Sequence, residues 1–283
     1  MVKSVFKSVG LVARFDRKRA VKLAEDLAEH LSGRGLEVYL EDTLIEKTRA
    51  KWKTLPLESM RTDFIITVGG DGTILRACLL LPKPEPPILA VNMGIRGFLT
   101  EVEPNLALDA ADRCLKGEYT IEKCMKLAVN AGNIKFPDAL NEVVITHDEP
   151  AKLLYMRILK AGQPILNCQA DSLLISTQTG STGYSLSAGG PVLDPSLDAF
   201  VLTPVCSLTD FRPIVFPADS HLTVEAIKPR KMLVLIDGQH AQIISSRLPS
   251  VTITRSKHET SFIRLRENFY QRLRSRLLFK GTG

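Results

Sequence analysis

The sequence predicts a doubly wound, Rossmann-like α/β N-terminal domain followed by an all-β, sandwich-like C-terminal domain, with a closing helix. Three observations support this prediction. Apolar strand patterns alternate with helical patterns up to about residue 118, β-prone runs with few helical patterns follow, and an amphipathic pattern ends the chain. Strand–helix alternation is typical of a parallel sheet covered by helices. Successive short strands separated by turn signals are typical of an all-β domain.

The first domain is predicted from four strands and the helices between them. Strands are predicted at 9–13, 36–40, 64–68 and 88–91. The run at 64–68 is continuously apolar and β-branched, as in strands that are buried on both faces of a parallel sheet. One helix is predicted to end at Gly33 and Gly35, one follows a glycine-rich turn at 69–73, and one runs from Pro104 to Gly117.

The second domain is predicted over 119–261 from β-prone runs, which lie at 127–129, 142–145, 153–159, 173–176, 222–226, 232–236 and 251–254. A last helix is predicted over about 263–278, because apolar residues recur there at spacings of three and four, namely Phe262, Leu265, Phe269, Leu273 and Leu277. It has no second helical layer of its own. The first domain is therefore predicted to comprise 1–118 together with 262–283.

Composition excludes several classes of protein. No apolar run approaches the ~20 residues that a membrane span needs, and charged residues follow the short N-terminal apolar stretch where a signal cleavage site would lie. The five cysteines are scattered, without Cys-x-x-Cys, which favours reduced thiols in the cytoplasm and no metal site built by the protein.

Residues 255 to 280 contain eight Lys or Arg and two Glu, and this surplus of positive charge equals the net charge of +6. We interpret this window as a solvated helix face, not as a nucleic-acid or membrane surface.

The first motif that carries chemistry is Gly69-Gly70-Asp71-Gly72-Thr73, between a buried strand and a helix. Glycines let the backbone approach a polyanion, and a helix N-terminus presents unpaired N–H groups to it. Asp71 would repel a phosphate, so its presence indicates that it accepts a proton from an attacking hydroxyl or helps to hold Mg²⁺. The alternative is an Asp-Gly turn in which Asp71 caps the helix.

Two further motifs follow predicted strands or lead into them. Residues 92–99 lie at the carboxyl end of the strand at 88–91, where open α/β sheets bind ligands, and Phe98 offers a flat apolar surface for a base or for the core. Asn141-Glu142 leads into a β-run, and a carboxylate beside an amide can bind the vicinal hydroxyls of a ribose. In isolation, residues 92–99 are equally compatible with a tight turn that places Phe98 in the core, and Asn-Glu before a strand is usually just a turn.

The most specific motif follows the β-run at 173–176. Residues 177–191 read Thr-Gln-Thr-Gly-Ser-Thr-Gly-Tyr-Ser-Leu-Ser-Ala-Gly-Gly-Pro. This density of small hydroxyls and glycines supplies many hydrogen-bond donors with little bulk, which suits a sugar phosphate and a purine better than an apolar ligand. The flanking β-run and Tyr184 argue against a low-complexity linker.

In order and spacing, these four segments resemble the NAD kinase family, whose hallmarks are Gly-Gly-Asp-Gly, an Asn-Glu pair and Thr-x-Thr-Gly-Ser-Thr-Ala/Gly-Tyr. The segments Arg-Pro-Ile-Val at 212–215 and Asp-Gly-Gln at 237–239 also look like the family, so the resemblance covers about residues 64–239. The chain departs from the pattern at Ser172, where many members have Gly, and at Gln178, where Pro is usual.

The resemblance implies transfer of a phosphoryl group from ATP or polyphosphate to the 2′-hydroxyl of the adenosine ribose of NAD, giving NADP. It implies Mg²⁺ or another divalent cation with the phosphates, NAD in a cleft between the domains, and a homodimer or homotetramer. Asp71 is the implied catalytic residue. The implied NAD-binding residues are Asp71, Gly72, Phe98, Asn141, Glu142, Asp171, Thr179, Thr182, Gly183, Tyr184, Ser187 and Cys206, and the implied phosphate-binding residues are Gly69, Gly70, Gly72 and Thr73.

Within that set, Asp171, Ser187 and Cys206 are implied to lie near the nicotinamide half of NAD, either in the same subunit or across a subunit interface.

Two other functions compete with this one. A lipid kinase of the diacylglycerol or sphingosine kinase type shares Gly-Gly-Asp-Gly-Thr and a β-rich second domain, but it needs an apolar pocket where 179–187 offers a polar one. A non-catalytic NAD-binding regulator is the third hypothesis, against which the intact Asp71 argues.

Overall fold

The computed structural model describes residues 6–48, 52–94, 97–266 and 269–277. The chain divides into two compact units. Unit 1 comprises Met1–Lys123 with Thr260–Gly283, and unit 2 comprises Cys124–Glu259. The predicted fold class, an α/β part followed by an all-β part, is confirmed.

Unit 1 contains a parallel sheet with helices between its strands. The elements are β1 (Ser8–Ala13), α1 (Lys18–Gly33), β2 (Glu37–Glu41), β3 (Lys53–Leu55), β4 (Phe64–Gly69), α2 (Asp71–Leu80), β5 (Ile88–Asn92), α3 (Ala107–Lys116) and, at the end of the chain, α5 (Phe269–Leu277). The strands are ordered β5-β4-β1-β2-β3 and pair in parallel. One hydrophobic core lies against this sheet, and α1 contributes Ala20, Leu27 and Leu31 to it.

The order of these strands decides where a ligand can bind. From β1 the chain moves to β2 on one side, and after β3 it returns to β4 on the other side of β1. Such a reversal makes a crevice outside the carboxyl ends of the strands, which is the usual ligand site of open α/β sheets. The carboxyl ends of β4 and β5 are Gly69 and Asn92, so the glycine-rich turn and the segment after Asn92 lie at this edge.

Unit 2 is built from antiparallel strands. The elements are β6 (Thr120–Ala131), β7 (Ile134–Lys135), β8 (Glu142–Thr146), β9 (Leu154–Lys160), β10 (Gln163–Ala170), β11 (Ser172–Thr177), the short helix α4 (Tyr184–Ser187), β12 (Ala199–Val205), β13 (Ile214–Pro217), β14 (Leu222–Lys228), β15 (Lys231–Ile236), β16 (His240–Ser245) and β17 (Ser250–Arg264). β6 begins in unit 1, and β17 ends there. One sheet has the order β13-β12-β11-β8-β15-β16, and β10-β9-β14-β17 lie side by side in another.

The prediction of a helix from about residue 263 is wrong at its start. β17 continues to Arg264, and the helix begins at Phe269. Phe262 is fully buried and pairs in parallel with Ile88 of β5. The spacing of Phe262 and Leu265 therefore mimicked a helical face, although Phe262 belongs to a buried strand end. The side chain of Leu277 lies outside the described residues.

The basic window at 255–280 is also less solvated than predicted. Arg255, Arg266 and Arg274 are exposed, but Arg264 and Arg272 are buried and form ion pairs with Glu101. In the part of the chain that the structure describes, no helix combines the length and the apolar character that a membrane crossing requires.

Candidate functional site

The glycine-rich turn joins β4 directly to α2. Gly70 is the N-cap of α2 in an extended conformation, and Asp71 is the first residue of the helix. A Cβ atom at Gly69 would lie 2.2 Å from Oγ1 of Thr73, so only glycine fits there. At Gly70 and Gly72 a Cβ atom would meet nothing within 4 Å, which leaves their backbone open to a ligand. Open backbone at a helix N-terminus is typical of sites that bind anions.

The carboxylate of Asp71 joins this turn to the segment after β5. Its Oδ2 accepts the N–H of Phe98 at 2.7 Å, and its Oδ1 accepts the N–H of Leu99 at 3.2 Å. A Cβ atom at Gly97 would lie 2.6 Å from Oδ1 of Asp71, so Gly97 permits this close approach. Asp71 therefore binds the Gly97–Leu99 segment from the first turn of α2, and the half-buried Phe98 lies beside it.

In unit 2, Asn141 and Glu142 are held by a buried carboxylate that the sequence analysis did not place in the site. Asp237 accepts the backbone N–H groups of Leu140, Asn141 and Glu142 at 2.7, 2.8 and 3.0 Å. Its own backbone has a φ of 50°, in the left-handed region that Asp tolerates better than most residues. The only sequence signal for this role was the resemblance of Asp-Gly-Gln to a family motif.

The side chains of Asn141 and Glu142 present polar atoms that no described residue satisfies. Oδ1 of Asn141 and Oε2 of Glu142 are buried and make no hydrogen bond in the described part of the chain. Burial, together with the negative charge of Asp237, raises the pKa of Glu142 to about 7. Burial also raises the pKa of Asp237, while its three N–H donors and the buried Lys126 oppose that rise. Unsatisfied buried acceptors are costly, so a ligand that donated hydrogen bonds to these two atoms would remove that cost.

The hydroxyl-rich segment packs directly on Asn141. The hydroxyl of Thr177 lies 2.6 Å from the carbonyl oxygen of Leu140, and the N–H of Thr177 donates to the carbonyl oxygen of Asn141 at 2.9 Å. The N–H of Gly180 donates to Oγ1 of Thr177 at 3.1 Å. A Cβ atom at Gly180 would lie 2.0 Å from the carbonyl oxygen of Asn141, so glycine is required for this approach.

The structure brings most of the predicted residues of this segment to the same place. Thr179 is half-buried, Thr182 is buried, and a Cβ atom at Gly183 would lie 3.7 Å from Oε2 of Glu142. Tyr184 and Ser187 lie on α4 with exposed side chains. Gly180 and Gly183 thus border the Asn141–Glu142 pair, and the other predicted residues lie in the same short segment.

Asp171 and Cys206 lie elsewhere in this unit. Ser172 pairs with Val205 at one end of the β11–β12 pair, and Asp171 donates its N–H to Val205. Glu142 pairs with Ser176 near the other end of β11. Four residues of strand at ~3.3 Å each separate the two ends by roughly 13 Å. Within one unit 2, the structure thus groups Asp171 with Cys206 and does not bring them to Glu142.

The carboxylates of the described residues bear on metal binding. Among the described residues, no group of three or more His, Cys, Asp or Glu side chains is arranged to hold a metal ion. Asp71 is the carboxylate beside the open phosphate turn. Mg²⁺ is commonly bound by one or two carboxylates together with substrate phosphates, and the position of Asp71 fits that kind of site.

Unit 1 has a helix N-terminus with open glycines and a carboxylate beside it, and unit 2 has a pair of buried polar acceptors. These features are typical of a nucleotide-dependent phosphotransferase. Family models agree with this class. The ATP-NAD kinase N-terminal domain matches residues 9–119, and the ATP-NAD kinase C-terminal domain matches residues 140–265. The chain belongs to the NAD kinase family, and it is an enzyme that phosphorylates NAD.

Individual relatives support the same conclusion. The NAD kinase of Methanothermobacter thermautotrophicus is 39% identical over 276 residues, which cover 96% of this chain and 97% of the relative. That of Thermococcus sibiricus is 40% identical over 264 residues, which cover 92% and 95%. The crystal structure of an NAD kinase from Archaeoglobus fulgidus in complex with ATP is 28% identical, with a TM-score of 0.81, and covers 97% of this chain and 100% of that chain. These findings do not favour the lipid kinase or the non-catalytic regulator.

The packing of Gly180 on Asn141 generates the first prediction. We expect Gly180→Ala to lower the free energy of unfolding by roughly 1–3 kcal/mol, because the added methyl group meets a backbone carbonyl that cannot rotate away. Gly183→Ala is the matched control, since its nearest contact would be 3.3 Å. Urea unfolding of both variants measures the difference. Equal stability of the two would show that the turn can move away from Asn141.

The raised pKa of Glu142 generates a second prediction. The folded protein holds the proton up to pH about 7, whereas the unfolded chain releases it near 4.5. Protonated Glu142 therefore makes its full contribution to the free energy of unfolding below pH 4.5. As pH rises to about 7, the free energy of unfolding falls by up to about 3 kcal/mol. Glu142→Gln has no such titration, so we expect the variant to gain stability over the natural protein across this window.

Nucleotide-free unfolding in urea at intervals from pH 4.5 to 8 measures this gain. Glu103→Gln, which neutralises an exposed glutamate, serves as the control and should follow the natural protein. Parallel curves for Glu142→Gln and the natural protein would contradict the prediction.

Proposed function

We propose that this NAD kinase transfers the γ-phosphoryl group of ATP to the 2′-hydroxyl of the adenosine ribose of NAD, with Asp71 as the general base. The observation that carries the proposal is the position of Asp71 in the first turn of α2, between the open backbones of Gly70 and Gly72. Each carboxylate oxygen has two acceptor sites. The bonds to Phe98 and Leu99 orient the carboxylate toward the proton of the attacking hydroxyl in this proposal.

Unit 2 supplies the nucleoside contacts in this proposal. Oδ1 of Asn141 and Oε2 of Glu142 accept hydrogen bonds from ribose hydroxyls, which satisfies two buried acceptors. Thr179, Thr182, Gly183 and Tyr184 contact adenosine with small polar groups and one aromatic ring. The phosphates bind the turn of Gly69, Gly70, Gly72 and Thr73, and Phe98 lines the adenosine pocket.

In this proposal, ATP is the phosphoryl donor, and Mg²⁺ binds with its phosphates at the glycine-rich turn. The ATP complex of the A. fulgidus relative supports ATP as the donor. Mg²⁺, when bound with the phosphates, neutralises their charge, and Asp71 is the residue of this chain that would help to hold it. A polyphosphate donor would use the same anion site. Turnover with ATP and with polyphosphate, each with and without Mg²⁺, decides between them.

We further propose that the enzyme is a cytoplasmic homodimer or homotetramer in which NAD extends from one subunit toward Asp171 and Cys206 of another. The support is the separation of Asp171 and Cys206 from Glu142 along β11. Mass measurement in solution gives the subunit number. Mixing Glu142→Ala and Asp171→Ala subunits tests the shared site, because hybrid oligomers regain activity only if the two residues act from different subunits.

The overall reaction is tested by incubating the protein with ATP, Mg²⁺ and NAD, or with diacylglycerol in place of NAD. We expect NADP to form and no lipid phosphate. Binding of NAD without NADP formation would support a regulator instead.

For the catalytic role, we expect Asp71→Asn to lower kcat by ~10²–10⁴-fold while NAD binds with near-natural affinity. Asn is nearly isosteric, but it cannot accept the proton or carry the charge. Asp109→Asn, which neutralises an exposed aspartate in the first turn of α3, is the matched control and should keep full turnover. Single-turnover kinetics and a direct NAD titration measure the two properties. Near-full activity of Asp71→Asn would reduce Asp71 to an anchor of the Gly97–Leu99 segment.

For the nucleoside contacts, we expect Glu142→Ala and Tyr184→Ala to raise the KM for NAD by on the order of tenfold or more. A charge-assisted hydrogen bond to ribose contributes roughly 1.5–3 kcal/mol, and Tyr184 contributes packing by its half-exposed ring. The KM for ATP should change little.

Tyr155→Ala removes a similarly exposed tyrosine from β9 and is the control. Steady-state kinetics with NAD and ATP titrated separately provide the measurement. A fall in kcat with both KM values unchanged would place Glu142 and Tyr184 in the chemical step and refute their assignment.

A further inference from the structure

A buried arginine at the end of β17 contacts the segment that Asp71 holds. The side chain of Arg264 is 7% exposed. Its Nη1 donates to the carbonyl oxygen of Leu99 at 3.0 Å, and its Nε donates to the carboxylate of Glu122. Nη1 also lies 3.5 Å from Oε2 of Glu101. All of these residues belong to unit 1.

Both polar groups of the Leu99 backbone are consequently hydrogen-bonded. Its N–H donates to Oδ1 of Asp71 at 3.2 Å, and its carbonyl oxygen accepts from Arg264. Two residues later, Oε1 of Glu101 accepts the N–H groups of Leu265 and Arg266 at 2.9 and 3.0 Å. The segment from Gly97 to Glu101 is therefore clamped between Asp71 and the end of β17.

The charge pairing of Arg264 does not by itself require the contact with Leu99. Glu101 and Glu122 neutralise the guanidinium, and Glu101 also pairs with Arg272 at 3.9 Å. Arginine presents several donors in a rigid planar fork, so one side chain can bind two carboxylates and aim a further N–H at a chosen carbonyl. A lysine in the same place could keep the charge without this directed bond.

We propose that Arg264 is a positioning residue for phosphoryl transfer, which fixes Leu99 and through it the orientation of the Asp71 carboxylate. The inference rests on the proposed role of Asp71 as general base. Small displacements of a reacting group are costly, since a misplacement of ~1 Å can reduce rates by ~10²-fold. Arg264 does not contact the substrates in this proposal, so its loss acts on turnover and leaves substrate affinity in place.

The test compares Arg264→Met, Arg264→Lys, Glu122→Gln and Arg266→Met. We expect both Arg264 variants to lower kcat by about 10- to 100-fold with the KM for NAD within about twofold of the natural value. Glu122→Gln weakens the ion pair and leaves the bond to Leu99 intact, so kcat should stay near the natural value. Arg266→Met removes an exposed neighbouring arginine and controls for the charge of the segment. Thermal unfolding of each variant verifies folding, and Arg264→Lys carries the test if Arg264→Met does not fold.

A double variant separates this inference from the function on which it rests. If Arg264 acts through Asp71, Arg264→Met should cause no further loss in an Asp71→Asn background, as residues that act as a unit are not additive. Additive losses, or equal losses in Glu122→Gln and Arg264→Met, would overturn the positioning role. Full kcat in both Arg264 variants would overturn it as well. Retention of kcat by Asp71→Asn alone would instead refute the general base.

Discussion

The arrangement of the site depends on buried carboxylates that accept backbone N–H groups. Asp237 binds three consecutive N–H groups before and at the start of β8, and this fixes the backbone of Asn141 and Glu142. A carboxylate accepts such bonds more strongly than a neutral oxygen does, and it orients a chain that forms no regular ladder there. Without Asp237, the residues before β8 would have to satisfy their N–H groups in some other way.

Carboxylates also accept backbone N–H groups in unit 1, where they fix irregular segments in one conformation. Asp71 binds the N–H groups of Phe98 and Leu99, and Glu101 binds those of Leu265 and Arg266. In both cases, the partners are distant in sequence, so the carboxylate joins segments that local preferences alone would leave independent. These hydrogen bonds hold segments that follow strands in fixed positions, and functional sites require such rigid support.

Much of this protein could be predicted from residue patterns. The buried run in β4, the ending of α3 at Gly117 and the glycine-rich turn are local signals, and each was predicted where it lies. Tertiary relations were not visible in the same way. The role of Asp237 depends on a strand connection that brings residue 237 beside residue 140, and the strand at Phe262 depends on pairing with Ile88. Periodicity describes one segment at a time, so it mistook that strand end for a helix.

The Asn141–Glu142 pair in unit 2 carries an energetic cost, because two of its buried acceptors have no described partner. The two atoms are Oε2 of Glu142 and Oδ1 of Asn141, and burial, with a smaller contribution from the charge of Asp237, raises the pKa of Glu142. Hydrophobic residues in place of Asn141 and Glu142 would remove this cost, and so would a polar neighbour that satisfied both acceptors. Either change would also abolish the capacity to accept hydrogen bonds from a ligand. The energetic cost of these atoms and their capacity to accept hydrogen bonds from a ligand are therefore two consequences of the same arrangement. Since the ligand satisfies these atoms only in the folded state, its binding should return the stability that the site gives up.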